Sequence, residues 1–325
     1  PQITVLLEAP EPFVARPDAA VWAKQRRYLN EDGEQALIEF AEARAVFDEV
    51  DAALGERLSA LIWEGDAEVL QLTQNAQPAL MATSMAAMRA LEAEGVSVTS
   101  AAFVAGHSLG EYSALCAAGA LTLADTARLL RLRGQAMQAA VPVGVGAMAA
   151  LLGLDFAAAA AVAAEAAQGE VCQAANDNDP AQVVVSGHRG AVERALEIAK
   201  AKGAKRAILL PVSAPFHCTL MQPAAAAMAE ALAGVAVSAP VVPVVANVRA
   251  AAVSDPEVIR GLLVEQVTGS VRWRESVLWM AAQGVAEFWE VGAGKALSGM
   301  IRRIAPESVQ RAVGTPEDVA AAVIQ

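Results

Sequence analysis

From position 41 onward, apolar and polar positions fall into short blocks whose period switches repeatedly between that of a strand and that of a helix. Ala101–Ala105 is a continuous apolar run of strand length, and Tyr112–Leu123 behind it is a small-residue apolar segment of helical length. Upstream, Ala45–Leu54 and Glu56–Trp63 read as helices stopped by Gly55 and Gly65. A long helix begins at Asn75, carries Pro78 near its first turn, and runs through Glu94 to a stop at Gly95. Leu123–Ala139 is another helix, with Ala127, Leu130 and Ala136 on its apolar side and Arg128, Arg131 and Arg133 as its basic residues; Pro142 and Gly144 end it. Residues 1 to about 40 show no clean period. Pro10, Pro12 and Pro17 interrupt them and Lys24, Arg26 and Arg27 cluster, so this segment stays unassigned.

Beyond Gly144 the texture changes. Gly146–Leu154 reads as a strand, Phe156–Gln168 as an alanine-rich helix, and Val171–Ala175 as a strand closed by Asn176-Asp177-Asn178-Asp179-Pro180, a turn signal. Gln182–Gly187 is a strand, Arg189–Gly203 a helix and Arg206–Val212 a strand. That order, β-α-β-β-α-β, is a split βαβ unit of ferredoxin-like type. The chain then returns to longer alternation: a helix at Met221–Leu232, a buried strand at Val241–Asn247, helices at Asp255–Gln266 and Arg274–Gln283, a strand at Ala286–Val291, and a helix at Ala296–Arg303. The expected fold is α/β: a large α/β-hydrolase-like domain with a mostly parallel sheet (1–142 and 213–325) and a small inserted ferredoxin-like domain (143–212). Gly292-Ala293-Gly294-Lys295 resembles a phosphate-cradling turn, but G-x-G alone is weak and tight strand-to-helix packing is the plainer reading.

Composition narrows the function classes. Over 325 residues the hydrophobic fraction is 55%, yet much of it is alanine and no run approaches about 20 strongly apolar residues. Glu8, Glu11 and prolines occupy the place of a signal peptide's apolar core. A cytoplasmic protein is expected, since Cys116, Cys172 and Cys218 form neither a CxxC nor a Cys/His cluster and suggest no disulfide framework and no metal site. A net charge of −12 argues against nucleic acid and anionic membranes as partners. Two local basic groups, Arg128/Arg131/Arg133 and Lys200/Lys202/Lys205/Arg206, are places where an acidic partner could dock; solvated helix faces explain the lysine group equally well.

The chemistry centres on Gly106-His107-Ser108-Leu109-Gly110, which meets the G-x-S-x-G pattern of a nucleophile elbow between a strand and a helix. A serine nucleophile needs a base, and the chain has three histidines. His107 is adjacent to Ser108, so the turn throws its side chain elsewhere and it more readily shapes the site or the oxyanion region. His188 lies at the edge of the small domain. His217 sits between Pro215 and the return to the large domain, where interdomain clefts form, and is the base by elimination. Ser108 with His217 implies acyl transfer through an acyl-serine. No Asp or Glu stands out to orient the imidazole. Arg133 is the candidate cation for a carboxylate, although periodicity alone favours an exposed helix arginine.

From about Ala41 to its end the chain resembles the malonyl-CoA:acyl carrier protein transacylases of bacterial fatty-acid synthesis, a family that includes polyketide-synthase acyltransferase domains. The matching stretches are Gln77-Pro78-Ala79-Leu80, Gly106-His107-Ser108-Leu109-Gly110-Glu111-Tyr112-Ser113-Ala114, Arg133-Gly134 with Met137-Gln138, Gly146–Ala150, Pro211-Val212-Ser213 through His217, and Glu290-Val291-Gly292. The resemblance implies Ser108 as nucleophile, His217 as base, Arg133 as the site for the malonyl carboxylate, and the backbone carbonyl of Gln266 as the group that orients His217. It also implies that Gln77 borders the acyl pocket and that Leu109 gives one oxyanion-hole amide. Phe216 resembles the malonyl-selecting form of its motif. The substrates would be malonyl-CoA and an acyl carrier protein bearing the phosphopantetheine thiol, with no cofactor held by the chain itself. The family opens with a strand and a Gly-Gln-Gly-Ser-Gln turn whose glutamine is the second oxyanion donor. No such turn is found here; Gln25 counts to the glutamine's place, between Lys24 and Arg26. A discrete polyketide acyltransferase, a serine hydrolase and an inactive carrier-protein-binding relative remain the alternatives.

Overall fold

A computed structural model describes residues 2–7, 41–212 and 214–323. Its strands are β1 (Gln2–Leu7), β2 (Ala101–Gly106), β3 (Gly146–Leu152), β4 (Cys172–Asp179), β5 (Gln182–His188), β6 (Arg206–Leu209), β7 (Val244–Ala246), β8 (Ala251–Val253), β9 (Val285–Val291) and β10 (Val309–Val313). They form a six-stranded sheet in the order β10-β9-β1-β2-β7-β8 and a four-stranded sheet in the order β4-β5-β3-β6. In the larger sheet every pairing is parallel except that of β8, which joins antiparallel at the edge.

Side chains alternate across the larger sheet with the period of two that a strand imposes. Val5, Val104, Val244 and Trp289 face one buried layer, together with Leu80, Met85 and Leu130 from the helices Thr73–Ala93 and Leu123–Ala140. Leu6, Ala105, Val245 and Phe288 face the other, against Trp273, Val277, Leu297 and Ile301 from the helices Trp273–Ala282 and Ala296–Ile304. Burial on both faces is why these strands read as apolar runs without alternation. The smaller sheet is antiparallel throughout and carries the helices Phe156–Ala167 and Arg189–Ala201. Ala149, Leu151, Val183 and Val185 pack under those helices, while Met148, Ala150 and Val184 join the main core.

The structure corrects several expectations. The opening segment is not featureless: Gln2–Leu7 is a central strand, paired in parallel with β2 on one side and β9 on the other. Its run Ile3-Thr4-Val5-Leu6-Leu7 is what a strand covered on both faces needs, and the prolines that obscure it come afterwards. Asn176-Asp177-Asn178-Asp179 is not a turn but the end of β4, and all four residues are buried. They stay extended because the main domain supplies partners. The Asp177 amide donates to the Val271 carbonyl at 2.9 Å, Arg274 pairs with Asp177 at 2.8 Å, and Arg303 pairs with Asp179 at 2.7 Å. The strand expected at Val241–Asn247 shortens to Val244–Ala246. The elbow helix ends at Ala117, where Gly119 takes φ +72°, and not at Leu123. Strands β8 and β10 and the helix Pro316–Val323 had no expectation. At Gly292 a Cβ would lie 2.0 Å from the Ser84 hydroxyl, so that glycine serves close packing. Among the described residues no helix is long and apolar enough to cross a membrane.

Candidate active site

The elbow forms because two residues give way at once. Ser108 takes φ +54°, a left-handed conformation that costs a non-glycine residue about 1–2 kcal/mol. A Cβ on Gly106 would lie 1.9 Å from the Gly110 carbonyl oxygen, so only glycine lets β2 turn directly into the helix Gly110–Ala117. The first turn then closes by hydrogen bonds from the Gly110 amide to the His107 carbonyl at 3.0 Å and from the Glu111 amide to the Ser108 carbonyl at 3.1 Å. Leu109 stands at the N-cap with its amide ahead of these bonds. The elbow lies at the carboxyl end of a parallel strand, where open α/β sheets place their ligands.

His217 is brought to the serine from the far side. Its φ of +56° is the second strained backbone of the site. Gly146 of β3 packs on the same loop, since a Cβ there would lie 2.3 Å from the Pro215 ring. Ser108 Oγ and His217 Nε2 are 2.7 Å apart, and His217 Nδ1 lies 2.9 Å from the Gln266 backbone oxygen. A carbonyl can only accept, so Nδ1 carries the proton and the Nε2 lone pair faces the serine hydroxyl, the tautomer a general base requires. Burial lowers the His217 pKa to about 3, with the positive charge of Arg133 as the second cause.

Arg133 is not the exposed helix arginine that periodicity favoured; it is 1% exposed. Gly134 explains how it gets inside. A Cβ there would lie 2.4 Å from Gln74 Cα, so the helices Thr73–Ala93 and Leu123–Ala140 touch at that glycine and turn the arginine inward. Its Nη1 donates to Gln77 Oε1 at 2.8 Å; its Nη2 donates to Gln266 Oε1 at 2.9 Å and to Ser108 Oγ at 3.1 Å. Its guanidinium carbon lies 5.6 Å from the centre of the Tyr112 ring. Of the neighbouring basic residues, Arg128 lies exposed beside Asp125, and Arg131, partly buried, binds Glu56 and Asn75.

The other expected residues divide. Gln77, whose amide also donates to Thr73 Oγ1 at 2.8 Å, and Gln266 meet at Arg133. Phe216 is buried beside the base. His107 lies apart from the proton pathway: its Nε2 is 2.9 Å from Asn178 Oδ1 in β4, its ring packs on Trp273 at 5.7 Å, and burial lowers its pKa to about 4. Gln25 and Ser213 lie outside the described residues. Two site residues had been given no role: Asn247, and Glu111 within the matching elbow stretch. Asn247 at the end of β7 accepts from the Ser108 amide through Oδ1 and donates to the Gly106 carbonyl through Nδ2, each at 2.7 Å. Glu111 accepts through Oε2 from the Asn247 amide at 3.0 Å and from Gln266 Nε2 at 2.8 Å. Burial raises its pKa to about 7 against the pull of those hydrogen bonds and of Arg133. Among the described residues no group of His, Cys, Asp and Glu could hold a metal ion.

This arrangement sets a serine hydroxyl and an imidazole lone pair beside a buried cation one hydrogen bond away, a layout suited to acylation by a substrate that carries a carboxylate near its carbonyl. The sequence profile of the acyl transferase domain family matches residues 33–315. The malonyl CoA-acyl carrier protein transacylase of Escherichia coli K12 is 49% identical over 277 residues, 85% of this chain and 89% of that protein. The crystal structure of an acyl-carrier-protein S-malonyltransferase from Bartonella henselae superposes with a TM-score of 0.87 at 51% identity, covering 99% of this chain and 98% of the other. A malonyl-transacylase solved with a type II polyketide-synthase acyl-carrier protein superposes at 0.91 with 37% identity, covering 100% and 99%.

Proposed function

The chain belongs to the acyl transferase domain family, and from that membership we infer that it moves a malonyl group from malonyl-CoA to the phosphopantetheine thiol of acyl carrier protein. It is an acyltransferase of fatty-acid synthesis. The observation that carries the reading is the Arg133 guanidinium, buried and 3.1 Å from Ser108 Oγ. Malonyl thioesters hold their carboxylate one methylene from the carbonyl that is attacked, so a cation beside the nucleophile meets that carboxylate when the carbonyl is in reach.

We assign the steps as follows. Ser108 Oγ attacks the thioester carbon while His217 Nε2 takes its proton, and the oxyanion turns toward the Leu109 amide. Collapse breaks the C–S bond; the proton passes from His217 to the departing sulfur, leaving malonyl-Ser108 and CoA. The carrier thiol then gives its proton to His217, attacks the ester carbon, and Ser108 leaves with the proton restored. The Gln266 carbonyl stabilises the imidazolium in both halves by accepting from Nδ1–H, the part a carboxylate plays in other triads. Arg133 lowers the basicity of His217 in the empty site, so a bound carboxylate that offsets its charge also strengthens the base. Acetyl-CoA brings no such charge and offers the guanidinium no carboxylate to bind, a penalty of about 2–4 kcal/mol. We also propose the division of the chain at 142/143 and 212/213, which is supported by the separate apolar layer beneath the two helices of the smaller sheet.

Incubation with radiolabelled malonyl-CoA tests the reading. The wild type becomes labelled and passes the label to added holo acyl carrier protein, while Ser108→Ala takes up none. Label lost to water before the carrier is added would make the protein a hydrolase instead.

A further inference from the structure

Gln266 is the residue on which the site converges. Its backbone oxygen accepts from His217, its side-chain oxygen accepts from Arg133, and its side-chain nitrogen donates to the Ser108 carbonyl at 2.9 Å and to Glu111 Oε2. A primary amide has an oxygen end and a nitrogen end of nearly the same shape, so something must decide which end meets the guanidinium. Arg133 can only donate. If the amide faced it with nitrogen, two donors would oppose each other and the guanidinium would be pushed from its place. Glu111 stands at the opposite end of the amide, on the turn directly after the nucleophile, and its Oε2 is already fixed by the Asn247 backbone amide.

We propose that Glu111 is a positioning residue for malonyl transfer, whose negative charge fixes which way the Gln266 amide faces and so holds the Arg133 guanidinium in place for the malonyl carboxylate. The inference rests on the reading that Arg133 receives that carboxylate. An ionised carboxylate accepts only, and it therefore demands the nitrogen end of Gln266 and presents the oxygen end to Arg133. A neutral group at position 111, whether a protonated carboxyl or an amide, can donate as well as accept and withdraws that demand, leaving the Ser108 carbonyl as the remaining acceptor that holds the nitrogen end. The same negative charge partly offsets Arg133 while the site is empty.

This makes malonyl selectivity depend on the ionisation of one buried group. Glu111 titrates at about 7. The ionisable groups around it do not change charge near that pH: His217 at about 3 on the base loop, His107 at about 4 in the elbow, Tyr112 at about 12 on its own helix, and the Arg133 cation on the neighbouring helix. The malonyl carboxylate is ionised throughout that range. Selectivity for malonyl over acetyl therefore falls as pH drops through 7.

The test is the ratio of Ser108 acylation rates with radiolabelled malonyl-CoA and acetyl-CoA, measured from pH 6 to pH 8 for the wild type, Glu111→Gln and Arg133→Ala. In the wild type the ratio rises several-fold across the range. In Glu111→Gln it is at least about fivefold lower at pH 8 and flat with pH. A Gln variant that keeps the wild-type ratio, or keeps its pH dependence, overturns the proposal. So does a Gln variant that slows both substrates equally, because that is damage to the fold and not to Arg133. If the Gln variant does not fold, a wild-type ratio that is flat from pH 6 to pH 8 overturns it alone. Arg133→Ala separates the two levels: an unchanged ratio there sinks the carboxylate reading itself, whereas a collapsed ratio there beside a normal Glu111→Gln sinks only the role of Glu111.

Discussion

Replacing Asn247 with alanine removes the clamp that holds both arms of the elbow. The side chain is fully buried, and its two 2.7 Å hydrogen bonds serve the Ser108 amide and the Gly106 carbonyl. Truncation leaves a buried donor and a buried acceptor unsatisfied, at about 1–3 kcal/mol each. Ser108 also holds about 1–2 kcal/mol of backbone strain that the clamp keeps from relaxing, which is returned in part when the turn loosens. Asn247→Ala should therefore lose about 2–5 kcal/mol in urea unfolding, and acylation from malonyl-CoA should fall by more than tenfold in whatever fraction remains folded. Asn247→Asp gives the sharper contrast. One of its oxygens still accepts from the Ser108 amide, but the other faces the Gly106 carbonyl, acceptor against acceptor. The buried carboxyl is held protonated, so its folded pKa lies above its unfolded one; its stability relative to the wild type is greatest in acid and is lost as pH rises through the folded value. Unfolding midpoints at pH 5 and pH 8 measure this. A loss below about 0.5 kcal/mol in Asn247→Ala with an unchanged acylation rate, or an Asn247→Asp protein that gains stability relative to the wild type as pH rises, refutes the account of the elbow.

Two further outcomes follow from the packing and the buried histidines. Gly134→Ala puts a Cβ 2.4 Å from Gln74 Cα in a backbone that cannot step aside, so it should cost about 1–3 kcal/mol in urea unfolding and weaken malonyl acylation more than acetyl, because the helix contact that seats Arg133 opens. His107 is buried and neutral with its pKa lowered to about 4, so the unfolded chain binds a proton that the folded one does not between about 4 and 6.5, and stability falls as pH drops through that window. His107→Gln should remove about 1.4 kcal/mol per pH unit from that slope, seen by comparing unfolding free energies at pH 7.5 and 5.5; an unchanged slope would mean that His107 is charged in the fold.

What the sequence made legible depended on how local the cause was. The elbow was readable because the apolar run before it, the two glycines and the helix after it are all within a few residues. His217 could be reached by elimination among three histidines. Arg133 could be named as a candidate cation, but its burial was not legible, since what buries it is the absence of a side chain at Gly134 facing a helix about sixty positions earlier, and periodicity within one helix carries no trace of that. The roles of Glu111 and Asn247 were missed for a similar reason: a buried polar residue's role is defined by its partners, and theirs lie more than a hundred positions away. β1 was hidden by its shortness and by the prolines that follow it. Asn176–Asp179 was misread because the composition of a turn and that of a buried polar strand are the same; what differs is whether Arg274 and Arg303 are waiting on another element.

That strand bears on how the molecule can be re-engineered. Grafting the smaller sheet from one acyltransferase onto another invites treatment of residues 143–212 as a cassette joined at two cut points. Yet β4 enters the host through Asp177, Asn178 and Asp179, and their counterparts Arg274, His107 and Arg303 lie outside the cassette. A chimera that moves the sheet without those three would bury two carboxylates without their arginines and would detach the elbow histidine from its support. Compatibility at these three pairs, more than the fit of the two junctions, should decide which chimeras fold.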